Sequence, residues 1–212
     1  MAKLGNKVGS PEGGAAKRGK KGEYFSTLRI VYIATFTAIS FALRFWSFPI
    51  LNAVPFLELD FSDVFVLIAG YSLGPVAGII TGVLKEVIYG ICFTKTMFVG
   101  ELANIIIMLP FVLIPSIMYK KHKGIKSVIF WIVVACVVRT LWSFPANLLL
   151  TFPAFTGFKW TEGMAFYMSV WYWVMLFNFI KCVILAAVVM VLYKSVSRLI
   201  GLINGKFEKN GQ

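Results

Sequence analysis

FSDVFVLIAGYSLGPVAGIITGVLKEVIYGIC, residues 61–92, carries no charge between Asp63 and the pair Lys85-Glu86, and Gly74-Pro75 divides it in the middle. Proline has no amide to donate and pushes the residue before it out of helical angles, so this pair is a natural turn between two helices. The alternative is one kinked membrane span, and counting sides decides between them. With the basic N-terminal tail in the cytoplasm, two spans return both the 120–126 loop and the C-terminal tail to that side. One span would carry Lys120, Lys121, Lys123 and Lys126 outward, against the positive-inside bias. Two spans also put Glu58, Asp60, Asp63, Glu101 and Glu162 on the outer side. The first piece, 61–73, reaches only ~20 Å at about 1.5 Å per residue, short of a full bilayer core. It therefore reads as a helix buried among its neighbours rather than one facing lipid.

The whole composition agrees with a membrane chain. Of 212 residues, 59% are hydrophobic and 16% aromatic, and the mean hydropathy is +0.82, outside the range of soluble domains. The net charge of +12 could suggest nucleic acid, but the Lys and Arg residues cluster in 1–29, 120–126 and 194–209, flanking apolar segments. That is the pattern that orients membrane proteins, and no nucleic-acid partner is expected. Cys92, Cys136 and Cys182 lie in apolar stretches without CxxC spacing, so they read as packing residues. The first apolar run starts near Ile30 and is too long for a signal-peptide core.

Further helices are expected at about 28–48, 101–119, 127–150 and 166–195, with an outer loop over 151–165. The expected architecture is an all-α integral membrane protein, a bundle of six transmembrane helices with both termini cytoplasmic. Residues 1–27 form a basic, disordered tail, 28–195 the membrane domain, and 196–212 a cytoplasmic C-terminal tail.

Polar residues inside the apolar runs carry the functional information. Lys85, Glu86, Arg139, Asn147, Asn178 and Lys181 all interrupt them. A charge near the centre of a spanning helix costs roughly 2.5–3.5 kcal/mol on insertion scales, so such residues mark a polar pocket within a bundle. Catalysis finds little support: the single His122 lies in a Lys-rich loop, and HExxH, a nucleophile elbow and a P-loop are absent. Uphill transport would need an ion gradient or another subunit.

Three constellations stand out. Ala34, Ala38 and Ala42 form a strip of small residues on one face of the first helix, fit for close helix packing, either within the bundle or against a partner. Glu101 and Asn104 share a face at the outer start of the fourth helix, where Glu101 either caps the helix or meets a ligand. Asn178 and Lys181 share a face of the sixth helix and, with Asn147 of the fifth, offer donors and acceptors to hydroxyls and carbonyls. Trp142, Phe144, Trp171, Tyr172 and Trp173 could flank a ring system or form an interfacial belt, and Lys181 could instead pair with Glu86.

LELDFSD (57–63), GYSLGPVAGIITGVLKEVIYG (70–90), GELAN (100–104) and FNFIKCVIL (177–185) together resemble the substrate-binding S subunits of energy-coupling factor (ECF) vitamin transporters, most closely the riboflavin-specific branch. The resemblance covers about residues 28–195. It implies a six-helix bundle without ATPase activity that captures a vitamin outside and works with a transmembrane coupling (T) protein and two cytoplasmic ATPases. The family's small-residue motif against the coupling protein matches Ala34 and Ala38, with Ala42 extending it. Its ligand-contacting Asn and Lys match Asn147 and Lys181, and its binding-side loop matches Leu57 to Asp63. The expected substrate-binding set is thus Leu57, Asp60, Lys85, Glu101, Asn104, Asn147, Asn178 and Lys181, with riboflavin as transported ligand, no cofactor and no metal. Another vitamin or precursor is the alternative within transport. A small lipid-modifying membrane enzyme using Glu86 or Glu101 is the alternative outside it.

Overall fold

The computed structural model describes residues 27–94, 96–122 and 124–210. The expected tail 1–27 lies outside these apart from Thr27, which opens the first helix. In chain order the elements are α1 (Thr27–Arg44), β1 (Phe48–Pro49), β2 (Glu58–Leu59), α2 (Ser62–Leu73), α3 (Pro75–Phe93), α4 (Val99–Lys121), α5 (Ile125–Ala146), a π-helical turn (Asn147–Thr151), α6 (Phe152–Phe155) and α7 (Trp160–Asn210). Among the described residues, five helical stretches are long and apolar enough to cross a membrane: Thr27–Arg44, Pro75–Phe93, Val99–Lys121, Ile125–Phe155 and Trp160–Leu192.

The turn read from Gly74-Pro75 divides α2 from α3. Gly74 adopts φ +101°, open to glycine, and Pro75 starts α3 where its missing amide costs nothing. All of α2 except Phe65 is buried, as befits a helix only ~18 Å long at about 1.5 Å per residue. It forms the centre of the bundle, packed by α1, α3, α4 and α7. Leu67, Phe111, Ile132, Ala135, Cys182 and Leu185 belong to the main apolar core around it. The outward faces of the longer helices stay apolar, with Ile91 and Leu141 well exposed, as lipid-facing surfaces require.

Glycine permits the tight α2–α3 hairpin. A Cβ on Gly78 would lie 2.9 Å from the Gly70 Cα and 2.8 Å from a Val112 methyl, and the backbone atom cannot rotate away. Gly78→Leu is therefore expected to overpack this crossing and destabilise the bundle by about 1–3 kcal/mol or more. A thermal melt in detergent checks this, and an unchanged midpoint would show that the crossing tolerates bulk.

Three segments differ from the sequence expectation. The outer loop 151–165 contains helix: Thr151 closes the π turn, Pro153 sits in the first turn of α6, and the reversal is confined to Gly157 and Phe158 at φ +66° and +63°. The loop 50–60 is anchored at both ends. Phe48 pairs with Leu59 and Pro49 with Glu58, while Val54 is fully buried against Phe152, Tyr167 and Val174. Finally, α7 does not end near 195 but stays helical to Asn210, because no proline interrupts 193–210.

Candidate functional site

A cavity of about 340 Å³ opens between the 50–60 loop, the ends of α1 and α3, the start of α4, the later part of α5 and the 177–181 stretch within α7, within the roughly 300–1,000 Å³ range of small-molecule sites. Its walls bring together Leu57, Glu101, Asn104, Asn147, Asn178 and Lys181 from the expected set. Arg139, also read from the sequence as buried, joins them, and Arg44 was not singled out.

Local structure explains how these side chains converge. Asn147 opens the π-helical turn that follows Pro145, and Thr151 closes it; both line the cavity. The wider turn sets residues four apart on one face, and such turns recur at functional sites. The Asn147 amide donates to the Ser143 carbonyl at 2.7 Å, and that of Asn178 to the Val174 carbonyl at 2.9 Å. Each amide is thus tethered to its own helix while facing the cavity. Glu101 does not cap α4. It accepts hydrogen bonds from the hydroxyls of Thr94 (3.3 Å) and Thr96 (3.0 Å), whereas Thr94 and Thr96 themselves receive the amides of Phe98 and Gly100.

Asp60 and Lys85, expected at the binding side, line no wall of the cavity. They belong to a buried ion network one layer behind it. Asp60 Oδ2 accepts from Arg44 Nη1 at 3.0 Å and from Lys181 Nζ at 2.8 Å. Asp63 holds Lys85 at 2.5 Å and Arg139 at 3.0 Å, and Glu86 takes Lys85 at 3.3 Å. The Ser62 hydroxyl donates to Asp60 and accepts from Lys85, joining the two halves. Lys181 therefore pairs with Asp60, not with Glu86 as one sequence reading allowed. Burial alone would raise the Asp60 carboxyl, but Lys181, Lys85 and Arg44 together hold it well below the ordinary carboxylate range. Its ion pairs thus contribute in full above the unfolded carboxylate range, about pH 4, and are lost only as pH falls further.

The aromatic walls also differ from expectation. Phe56, Tyr89, Phe152, Phe155 and Phe177 supply the apolar surfaces, and Trp142, Phe144 and Trp171 to Trp173 do not. Trp142 turns its ring N–H to the Ile106 carbonyl at 3.1 Å and is half exposed, while Phe144 packs on Tyr167 and Trp171. The missed signal lay in the Phe-rich 152–155 stretch, which sequence reading assigned to a loop.

Flat apolar walls with a few fixed amides, cations and carboxylates suit an uncharged, ring-bearing molecule rich in hydroxyls and carbonyls. Among the described residues no cluster of His, Cys, Asp and Glu could hold a metal ion. Fold and site together define a membrane-embedded, small-molecule-binding helical bundle. Residues 28–193 match the family described as ECF transporter, substrate-specific component, and the chain belongs to that family. Its members are transport components, not enzymes.

Relatives give the family a more specific colour. The chain is 38% identical over 110 residues to the riboflavin transporter RibU of Staphylococcus aureus, a match spanning 52% of this chain and 58% of that relative. It is 28% identical over 165 residues to the riboflavin transporter FmnP of Bacillus subtilis, covering 76% of this chain and 87% of that one. A solved S component of a bacterial ECF transporter superposes with a TM-score of 0.68 at 31% identity, covering 81% of this chain and 96% of that one.

Proposed function

We propose that this chain is the substrate-capture subunit of an ECF-type importer and that the cavity binds riboflavin. The observation that carries this is the cavity itself. Phe152, Phe177 and Tyr89 offer a flat apolar slot for a tricyclic ring, while Asn147, Asn178 and Lys181 supply fixed polar groups for ring carbonyls and ribityl hydroxyls. The relatives named as riboflavin transporters support flavin over other vitamins. Leu57, Glu101 and Asn104 complete the proposed binding surface, and Asp60 and Lys85 act from behind it.

The membrane arrangement we infer is a six-helix bundle in the cell membrane, α2 being the short sixth member. Both termini face the cytoplasm, and the cavity opens outward. The basic residues 120–126 and 194–209 on one side support this orientation. Residues 1–27 and 196–212 are assigned to that side as tails, the second entering it as the continuation of α7.

The partners are a transmembrane coupling protein and two cytoplasmic ATPases. Ala34, Ala38 and Ala42 are all exposed, so the strip is not used for packing inside this chain and is free to meet the coupling protein. Uptake of labelled riboflavin by cells lacking their own importer tests the assignment. Uptake should appear when this chain is expressed with a coupling protein and ATPases, and stay at background without them. Uptake by the chain alone would contradict the subunit reading.

A further inference from the structure

Asp60 is not on the cavity wall, yet two of the cavity's cations converge on it. Arg44 and Lys181 both meet its Oδ2, and its Oδ1 accepts the Ser62 amide at 3.0 Å. The charged groups on the wall, among the described residues, are Arg44, Arg139 and Lys181 against Glu58 and Glu101. That is one positive charge in excess. Of the three buried carboxylates behind the wall, Asp63 and Glu86 share Lys85, itself behind the wall, and each reaches one wall cation besides: Asp63 meets Arg139 at 3.0 Å and Glu86 meets Arg44 at 3.8 Å. Among the described residues, Asp60 is the one of the three whose ion pairs are both with wall cations. It is 1% exposed, so solvent cannot screen the balance it sets.

We propose that Asp60 is a specificity-determining residue that never touches the ligand: by holding Arg44 and Lys181 and cancelling one of their charges, it keeps the cavity selective for an uncharged flavin over the flavin 5′-phosphate. The inference rests on the flavin reading of the cavity given above. With Asp60 ionised, Lys181 and Arg44 are both held on a protein carboxylate, and one of their two positive charges is cancelled. Without that charge, Lys181 loses its carboxylate and Arg44 keeps, among the described residues, only Glu86 at 3.8 Å, so the poorly solvated wall gains one positive charge and favours a dianionic phosphate. The Lys181 ammonium would also lose the acceptor that fixes its direction. Asp60 thus acts as a positioning residue for Lys181 as well as a charge filter.

The test compares riboflavin and riboflavin 5′-phosphate by fluorescence titration of the purified full chain, in wild type, Asp60→Asn and Asp60→Glu. The ratio of the two dissociation constants should shift toward the phosphate at least about tenfold in Asp60→Asn, and return toward the wild-type value in Asp60→Glu. A merely structural role would weaken both ligands alike, and an unmoved ratio would overturn the proposal. If Asp60→Asn does not fold, Arg44→Gln probes the same balance from the other side. Removing a wall cation should move the ratio against the phosphate, and a ratio that stays or moves toward it would overturn the proposal as well. Wild-type protein that binds neither ligand would sink the flavin reading and this inference together. Tight riboflavin binding with an unmoved ratio would sink this inference alone.

Discussion

Lys181→Ala is expected to lower riboflavin affinity by roughly 30- to 150-fold while leaving the bundle folded. Lys181 lines the cavity, is 3% exposed, and holds its ammonium 2.8 Å from Asp60. Truncating one member of a buried, hydrogen-bonded charge pair costs about 2–5 kcal/mol, and about 2–3 kcal/mol of loss in binding gives the stated range. The fold should survive because Asp60 keeps Arg44 at 3.0 Å and so is not left without a counter-charge. Fluorescence titration measures the affinity, and a thermal melt separates it from instability. An affinity within threefold of wild type would remove Lys181 from the binding surface.

Ala38→Trp should produce the opposite pattern, with riboflavin binding within about twofold of wild type and uptake reduced at least about tenfold. Helices in lipid associate through close packing, so one large side chain in a strip of small ones holds a partner helix away. Ala38 is exposed, and the added ring would meet lipid or a partner rather than this chain's own core. Parallel binding and uptake assays separate the two effects. Uptake that persists at the wild-type rate would mean that the coupling protein docks elsewhere.

Local rules reached some features of this molecule and not others. The break at Gly74-Pro75 was legible because a proline and a positive-φ glycine act on their own backbone, whatever surrounds them. Burial of Lys85, Glu86, Arg139, Asn147, Asn178 and Lys181 was legible as well, since each interrupts an apolar run, and all six are buried. Their division into cavity wall and supporting layer was not. Asp60 and Asp63 read as outer acids at a loop, but their partners Lys181 and Arg139 lie 121 and 76 residues further along the chain. No local pattern encodes pairs of that separation.

The aromatic slot escaped for a different reason. Helical periodicity says which side chains share a face only while the helix stays regular, and the π turn at Asn147–Thr151 shifts everything after it. The Phe152 and Phe155 rings consequently reach the cavity, while Trp142, one turn and more before the irregularity, points to Ile106 and the surface. Arg44 was hidden by position. At the end of an apolar helix an arginine is ordinary, and only the β1–β2 pairing brings Asp60 back to it.

Riboflavin titration of the detergent-purified chain, followed by quenching of flavin fluorescence, bears most directly on the central claim. Quenching that saturates at one flavin per chain, and that is lost in proportion in Lys181→Ala, is the expected result. Absence of quenching in folded wild-type protein would contradict the assignment of this cavity to riboflavin, while leaving the chain's place in its family intact.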